Sequence, residues 1–149
     1  MKIKKIACCV DFSANALAAF KASLEMSQKY EAKLYLIHVI PLLIHPYVAD
    51  TEWIMPDMPQ ESMISSVRAR MEKDYASKIT ENIIYEINIL EGHVSSRIIE
   101  FLEEKEIDLV ITGAYGASGM GLVIFGSVAK RIAHKAPCSV MIVREKETA

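Results

Sequence analysis

Short apolar runs alternate along the chain with longer stretches in which apolar residues recur at every third or fourth position. Runs of this length and composition are typical of strands buried on both faces of a sheet. They cover residues 3–10, 33–40, 84–90, 108–112 and 138–144. The spacing of three and four predicts amphipathic helices over residues 14–29, 61–79, 94–105 and 127–134. The predicted order is therefore β-α-β-α-β-α-β-α-β.

This alternation predicts an α/β fold with a doubly wound, mostly parallel five-stranded sheet and helices on both faces, because right-handed crossovers between parallel strands place the helices there. A chain of 149 residues is the size of one domain, so we expect residues 1–149 to form a single domain. Ligands of such sheets bind beyond the carboxyl ends of the strands, where the strand order reverses. The loops after the first and fourth strands are therefore the expected site.

The longest predicted loop, residues 41–60, contains four of the five prolines and the only tryptophan, Trp53. Loops of this length are typical of lids, binding loops or partner surfaces. The apolar residues of this loop equally favour a segment that folds over an edge of the sheet. Both interpretations stay open at the level of sequence.

Composition narrows the class of protein. Seventeen basic and nineteen acidic side chains give a formal net charge of −2, which is not the strongly basic balance of nucleic-acid-binding proteins. The uncharged stretch of residues 109–129 is about as long as a bilayer-spanning helix, but its five glycines favour a strand, a loop and a helix instead. Because of those glycines we expect no membrane insertion. Three cysteines without CxxC spacing predict a reduced, cytoplasmic protein with no metal centre.

The glycines after the fourth strand have the chemistry of a phosphate cradle. Gly113, Gly116, Gly119 and Gly121 precede Gly126 and Ser127, where the next helix opens. Main-chain N–H groups of such a loop can converge on an anion, and the helix start adds its positive dipole end. Three or four amide–phosphate bonds of roughly 1.5 to 3 kcal/mol each would supply much of the about 8 kcal/mol of a micromolar affinity.

Two better-known nucleotide motifs are absent from the sequence. No lysine follows Gly126, so P-loop hydrolysis is not supported. No glycine follows the first strand, where Asp11, Phe12 and Ser13 stand instead, so a dinucleotide GxGxxG fingerprint is excluded. No set of nucleophile and base is evident either, so nucleophilic catalysis has no support from the sequence; whether the protein is an enzyme stays open, with a non-enzyme favoured.

The spacing Gly113-x2-Gly116-x9-Gly126-Ser127, with Asp11 closing the first strand, resembles the ATP-binding branch of the universal stress protein (UspA-like) family. The likeness extends over the whole chain, through VDFS at residues 10–13, HVI at the end of the second strand, Gly92, and APCSV at residues 136–140. It implies a nucleotide-binding, Rossmann-like fold of the adenine nucleotide alpha hydrolase type. It also implies a cytoplasmic homodimer that binds ATP or another adenine nucleotide, with or without Mg²⁺.

The resemblance also implies where such a nucleotide would bind. Phosphates would lie on Gly113, Gly116, Gly126 and Ser127, with Thr112 and Val128 beside them. Asp11 would contact the ribose or the adenine edge, and the Val39 backbone would contact the adenine. Two departures from the family pattern are Val94, where a proline is frequent, and Tyr115 and Ala117, where basic residues are frequent.

Asp11 has two possible functions on its own chemistry. A carboxylate at the end of the first strand faces the expected crevice and can accept hydrogen bonds from ribose hydroxyls. It could instead cap the following helix, although Ser13 is the better candidate for that cap.

The last predicted strand begins at Cys138 and ends at Arg144. Its apolar residues suit an edge strand that pairs with a second copy of the chain, which predicts a symmetric homodimer; a shielded edge in a monomer is the alternative. The function expected from the sequence is a nucleotide-binding, stress-response regulator with slow or no hydrolysis and an unidentified protein partner. The alternatives are a nucleotide-free dimeric interaction module and a weak ATPase or phosphotransferase.

Overall fold

The computed structural model describes residues 1–41, 60–115 and 125–146, and for Gln60 the backbone alone. The loop predicted over residues 41–60 therefore lies almost wholly outside the described residues, as do Gly116, Gly119 and Gly121. The strands are β1 (Lys5–Cys9), β2 (Lys33–Ile40), β3 (Tyr85–Glu91), β4 (Leu109–Gly113) and β5 (Ser139–Val143). The helices are α1 (Ala14–Tyr30), α2 (Gln60–Asp74), α3 (Val94–Glu104) and α4 (Ser127–Lys135), with a 3₁₀ turn at Ala76–Lys78.

The five strands form one sheet in the order β3-β2-β1-β4-β5, and all four neighbouring pairs are parallel. This confirms the predicted α/β class and every predicted strand. The strand order reverses between β1 and β4, whose pairing aligns Ile6 with Leu109 and Cys8 with Ile111. In the described part of the chain β5 lies at an edge of the sheet, as the sequence predicted.

Two apolar layers sandwich the sheet, because successive side chains of a strand point to opposite faces. On one face Cys8 packs with Phe20 of α1 and Met71 of α2. On the other face Cys9 packs with Phe101 of α3 and Ile132 of α4. The neighbouring cysteines are thus buried on opposite faces, each within an apolar layer.

The helix predicted over residues 61–79 is shorter than the spacing indicated. Helix α2 ends at Asp74, and Tyr75 leaves helical geometry with φ −121° before the 3₁₀ turn. The side chain of Tyr75 is 2% exposed and packs edge-on against Phe20, with ring centroids 5.1 Å apart. The periodicity continued through Tyr75 because that residue is a core residue, although it no longer belongs to the helix. Among the described helices none is long and apolar enough to cross a membrane.

Candidate functional site

A cavity of about 370 Å³ opens at the carboxyl ends of β1, β2 and β4, beside the point where the strand order reverses. It brings together every predicted site residue that the structure describes. These residues are Asp11, Val39, Thr112, Gly113, Gly126, Ser127 and Val128. Gly116, the remaining one, lies outside the described residues. The topology thus assembles one pocket from segments that are more than 100 residues apart, and the ligand contacts of these residues stay predictions.

The wall of this cavity is largely apolar. Ile37, Val94, Ile98 and Ala114 are among its lining residues. Polar groups come from a few side chains, among them the carboxylate of Asp11 and the hydroxyl of Ser127, and no described lining residue is a lysine or arginine. An apolar cleft with few, separated polar groups is the usual form of a small-molecule site.

The first turn of α4 supplies main-chain donors to the cavity. Gly126 is the N-cap, with φ −66° and ψ 163°, and has no side chain with which to cap the helix. The helical hydrogen bonds begin with Lys130 N–H, which donates to the Gly126 carbonyl at 3.0 Å. The N–H groups of Ser127, Val128 and Ala129 therefore have no acceptor within the helix, and all three residues line the cavity. This geometry favours an anion at the helix start.

A short main-chain clamp closes the two ends of the glycine loop. Ala114 accepts a hydrogen bond from Gly126 N–H at 2.7 Å and donates its own N–H to the Val143 carbonyl at 2.8 Å. The N–H of Gly126 is thus engaged within the protein, and its neighbours in α4 present theirs to the cavity. Sequence spacing included Gly126 in the predicted site, and Gly126 lines the cavity, but spacing could not indicate which amides lack an acceptor within the helix.

Gly113 is required by packing as well as by its place beside the cavity. A Cβ atom at Gly113 would lie 2.9 Å from the backbone carbonyl carbon of Asn15 and 2.9 Å from its Cβ. Because those atoms belong to the first turn of α1, a side chain at this position would push α1 away from β4. The sequence argument, which assigned Gly113 to phosphate binding, missed this contact.

The structure assigns the helix cap to Ser13 and shows Asp11 bonded to that serine. The Ser13 hydroxyl oxygen accepts from Ala16 N–H at 3.1 Å, so Ser13 is the N-cap of α1, as predicted. Asp11 Oδ1 accepts from the Ser13 N–H at 3.0 Å and from the Ser13 hydroxyl. Asp11 therefore orients the capping serine while its side chain lines the cavity.

The thiol of Cys9 lies at the cavity but is not chemically activated. Burial raises the pKa of Cys9 well above its ordinary value, and the nearby Cys8, Asp11 and Cys138 raise this pKa further. A neutral thiol is a poor nucleophile. In the described parts of the chain no three His, Cys, Asp or Glu side chains are grouped to hold a metal ion. The described site is thus equipped for binding, and it offers no evident nucleophile.

A second cavity, of about 560 Å³, adjoins the first and shares Pro41, Val94, Ser127 and Val128 with it. Arg131 also lines this second cavity. Arg131 is exposed, one turn into the helix. The structure places it beside the open start of α4.

Sequence reasoning missed His38, which stood among four scattered histidines. His38 lines the first cavity, and its Nδ1 lies 2.8 Å from the Val10 carbonyl oxygen. Its position directly before Val39 on β2 was the one available signal. The contact with β1 depends on the pairing of two strands that are far apart in sequence.

Comparisons with known proteins agree with this architecture. The model of the universal stress protein family matches residues 2–144 of the chain. The universal stress protein MJ0531 of Methanocaldococcus jannaschii is 28% identical over 148 residues, which are 95% of this chain and 82% of that protein.

Solved structures show the same fold. The structure of MJ0577 superposes with a TM-score of 0.83 at 21% identity and covers 99% of this chain and 100% of that one. A universal stress protein from Archaeoglobus fulgidus in complex with dAMP gives a TM-score of 0.64 at 18% identity, over 96% and 99% of the two chains. An Arabidopsis thaliana family protein with AMP bound gives 0.64 at 19% identity, over 97% and 93%.

Proposed function

The chain belongs to the universal stress protein family, and we propose that it binds an adenine nucleotide in the cavity at the carboxyl ends of β1, β2 and β4. The proposal extends to residues 1–149 acting as one domain. Two structural relatives are described with dAMP and AMP bound. Those ligands belong to the relatives, so the case for this chain must come from its own cavity.

One observation carries the proposal: donors for an anion and an acceptor for hydroxyls lie on the walls of a single apolar cavity. The N–H groups of Ser127, Val128 and Ala129 and the Ser127 hydroxyl provide the donors. Asp11 provides the acceptor. A nucleotide has the matching parts, since phosphate accepts hydrogen bonds, ribose hydroxyls donate them, and adenine is flat and largely apolar.

Each part of the nucleotide then has a partner in the protein. The phosphate nearest the ribose is bound by the first turn of α4, with Gly113 and Thr112 beside it; the contact expected from Gly116 lies outside the described residues and stays a prediction. Asp11 accepts from the ribose hydroxyls, and the main chain at Val39 borders the adenine. These assignments retain the roles that the sequence motif indicated, with the donated amides moved from Gly126 to the residues that follow it.

The number of phosphates depends on charge. No lysine or arginine belongs to the described lining of the first cavity, so the donors that face the phosphate there are uncharged amides and the Ser127 hydroxyl. A triphosphate carries more negative charge, and it would need Mg²⁺ or the nearby guanidinium of Arg131 in the second cavity. Replacing Arg131 with glutamine should therefore weaken ATP binding more than AMP binding, and equal losses for both nucleotides would remove Arg131 from the site.

We propose that the bound nucleotide regulates the protein and is hydrolysed slowly or not at all. The Cys9 thiol is protonated, and no described group is placed as an activated nucleophile. The downstream effect would pass to a protein partner in a cytoplasmic setting. Nucleotide occupancy would act on that partner surface through the segment of residues 41–60 or through the dimer interface.

The decisive experiment has two steps. Purified protein is denatured, and any released nucleotide is identified by mass spectrometry; thermal unfolding is then measured with AMP, ADP and ATP, each with and without Mg²⁺. A ligand at about a hundred times its dissociation constant adds about 2.7 kcal/mol to the free energy of unfolding, or roughly 5 to 10 °C in Tm. Absence of both a released nucleotide and a shift would leave a nucleotide-free interaction module as the function.

The proposed homodimer forms through β5. This strand is an edge of the described sheet, and an edge presents unpaired N–H and C=O groups that a second copy can cover. Size-exclusion chromatography with light scattering should give twice the chain mass at micromolar concentration. The variant Ile142→Lys, which places a charge on the edge strand, should shift the mass toward one chain with an unchanged circular dichroism spectrum. A wild-type protein with the mass of one chain would rule out the dimer.

A further inference from the structure

The turn that carries Asp11 has an unusual backbone. Phe12, the next residue, has φ +67°, in the left-handed region that residues with a Cβ seldom adopt. Such a conformation persists where surrounding contacts impose it, and it is frequent at binding sites. Contacts that hold Phe12 in place therefore also hold the residue before it.

The end of α2 provides those contacts. Phe12 N–H donates to the hydroxyl oxygen of Tyr75 at 3.0 Å, and the two rings stack with centroids 5.7 Å apart. The Arg70 guanidinium carbon lies 4.0 Å from the centre of the Phe12 ring. On another side His38 packs against the same ring at 5.1 Å. The half-buried Phe12 is thus contacted by residues of β2 and α2 and by Tyr75 directly after α2.

We propose that Tyr75 is a positioning residue of the nucleotide site, whose hydroxyl holds the left-handed turn at Phe12 and thereby directs the Asp11 carboxylate toward the ribose. The inference rests on the proposed function and deepens it. It assigns a binding role to a residue more than 60 positions away in sequence, on an element that supplies no described lining residue of the first cavity.

Tyr75 influences the Asp11 carboxylate in two steps. Tyr75 is 2% exposed, and its oxygen is the acceptor that the N–H of the half-buried Phe12 has in the described structure. Without that acceptor, the backbone of Phe12 becomes more stable in a right-handed or extended conformation in which its N–H reaches another partner. Because Asp11 and Phe12 share a peptide bond, that rotation also redirects the Asp11 side chain and its bonds to Ser13.

The hydrogen bond from Phe12 N–H to the Tyr75 hydroxyl persists over the physiological pH range because this acceptor does not change its protonation. Burial raises the pKa of Tyr75 to about 12, and the nearby Asp11 raises it further. The hydroxyl is therefore neutral at physiological pH. This supports a fixed contact instead of a pH-dependent one.

The test measures how strongly the site prefers ribose hydroxyls. AMP and 2′,3′-dideoxy-AMP are titrated calorimetrically into the wild-type protein and into Tyr75→Phe. Tyr85→Phe is the matched control, since Tyr85 is 43% exposed on β3. Hydrogen bonds from ribose hydroxyls to a carboxylate give the wild-type protein a preference for AMP of at least about tenfold. Tyr75→Phe should reduce that ratio to about threefold or less and leave the dideoxy-AMP affinity within about twofold, whereas Tyr85→Phe should change neither.

A purely structural role of Tyr75 would lower both affinities together, and that result, like an unchanged ratio, overturns the inference. Asp11→Asn separates the inference from its premise. If Asp11→Asn abolishes the preference while Tyr75→Phe keeps it, Asp11 binds the ribose and Tyr75 does not position it. If the wild-type protein shows no preference, or Asp11→Asn retains it, the proposed role of Asp11 fails and the inference fails with it.

A second variant covers the case in which Tyr75→Phe does not fold. Phe12→Pro removes the N–H that donates to Tyr75 and fixes φ at about −65°, and it leaves Tyr75 in place. The ratio of AMP to dideoxy-AMP affinity should again fall. A folded Phe12→Pro protein with the wild-type ratio would show that this turn does not direct Asp11, and the inference would be wrong.

Discussion

Replacing Gly126 with aspartate should stabilise the empty protein and weaken nucleotide binding at the same time. Gly126 is the N-cap of α4, and its φ of −66° and ψ of 163° are open to any residue. Aspartate is a preferred N-cap, and its side chain accepts a hydrogen bond from the second or third N–H of a helix. Those are the N–H groups of Val128 and Ala129, which the proposal assigns to the phosphate.

The magnitudes follow from that competition. An aspartate cap exceeds glycine by a few tenths of a kcal/mol, and its charge at the helix start adds about 0.3 to 1 kcal/mol, so the ligand-free Tm should rise by roughly 2 to 4 °C. One lost bond to a charged phosphate costs about 1.5 to 3 kcal/mol, or about 10- to 150-fold in affinity. At a concentration that stabilises the wild-type protein by about 2.7 kcal/mol, a tenfold loss leaves about 1.4 kcal/mol and a hundredfold loss about 0.4 kcal/mol.

The assay is thermal unfolding with and without AMP, and Gly126→Ala is its control. Alanine has no oxygen with which to cap the helix, so the ligand-free Tm should fall while the shift caused by AMP stays near that of the wild-type protein. Opposite effects of the two variants on stability and on binding exclude general damage to the fold as the cause. An aspartate variant that keeps the full AMP shift would refute the assignment of phosphate to the start of α4.

Three further outcomes are expected. Gly113→Ala should lower the free energy of unfolding by about 1 to 3 kcal/mol without any nucleotide, because the added Cβ would meet the Asn15 backbone at 2.9 Å. Urea unfolding measures this loss. An unchanged free energy of unfolding would contradict the close packing of Gly113 against Asn15. In native protein at pH 8 a thiol reagent should modify Cys138 and spare Cys8, because Cys8 is fully buried and its pKa is raised to about 12. In urea both cysteines should react. Fast labelling of Cys8 in the native protein would contradict this prediction. The pKa of Tyr75 is about 12 in the folded protein and near 10 when unfolded, so its stabilising contribution is complete below pH 10 and is lost as the pH rises to 12. In Tyr75→Phe the free energy of unfolding should therefore fall less steeply with pH in that window. Urea unfolding at each pH measures this slope.

Most of the secondary structure could be predicted from short-range patterns of apolar and polar residues. Continuous apolar runs such as that of β2 predicted Lys33–Ile40 with the same bounds that the structure has. The Ser13 cap is likewise a local matter, since its hydroxyl bonds to an N–H three residues ahead. The α2 boundary was wrong because Tyr75 satisfies the apolar period and yet leaves the helix to contact Phe12, a residue of the distant β1 turn.

By itself the sequence determined the strand and helix order, the parallel sheet, and the ends of β1 and β4 as the border of a cavity, since periodicity, caps and crossover handedness are local or follow from chirality. It also located the glycines and Asp11. Only the tertiary structure decided their parts: that Gly113 makes room for Asn15, that the Gly126 amide is engaged by Ala114, and that the turn at Phe12 is held from the end of α2. Each of these depends on atoms brought together from distant parts of the chain, and residue type and spacing do not encode such distances.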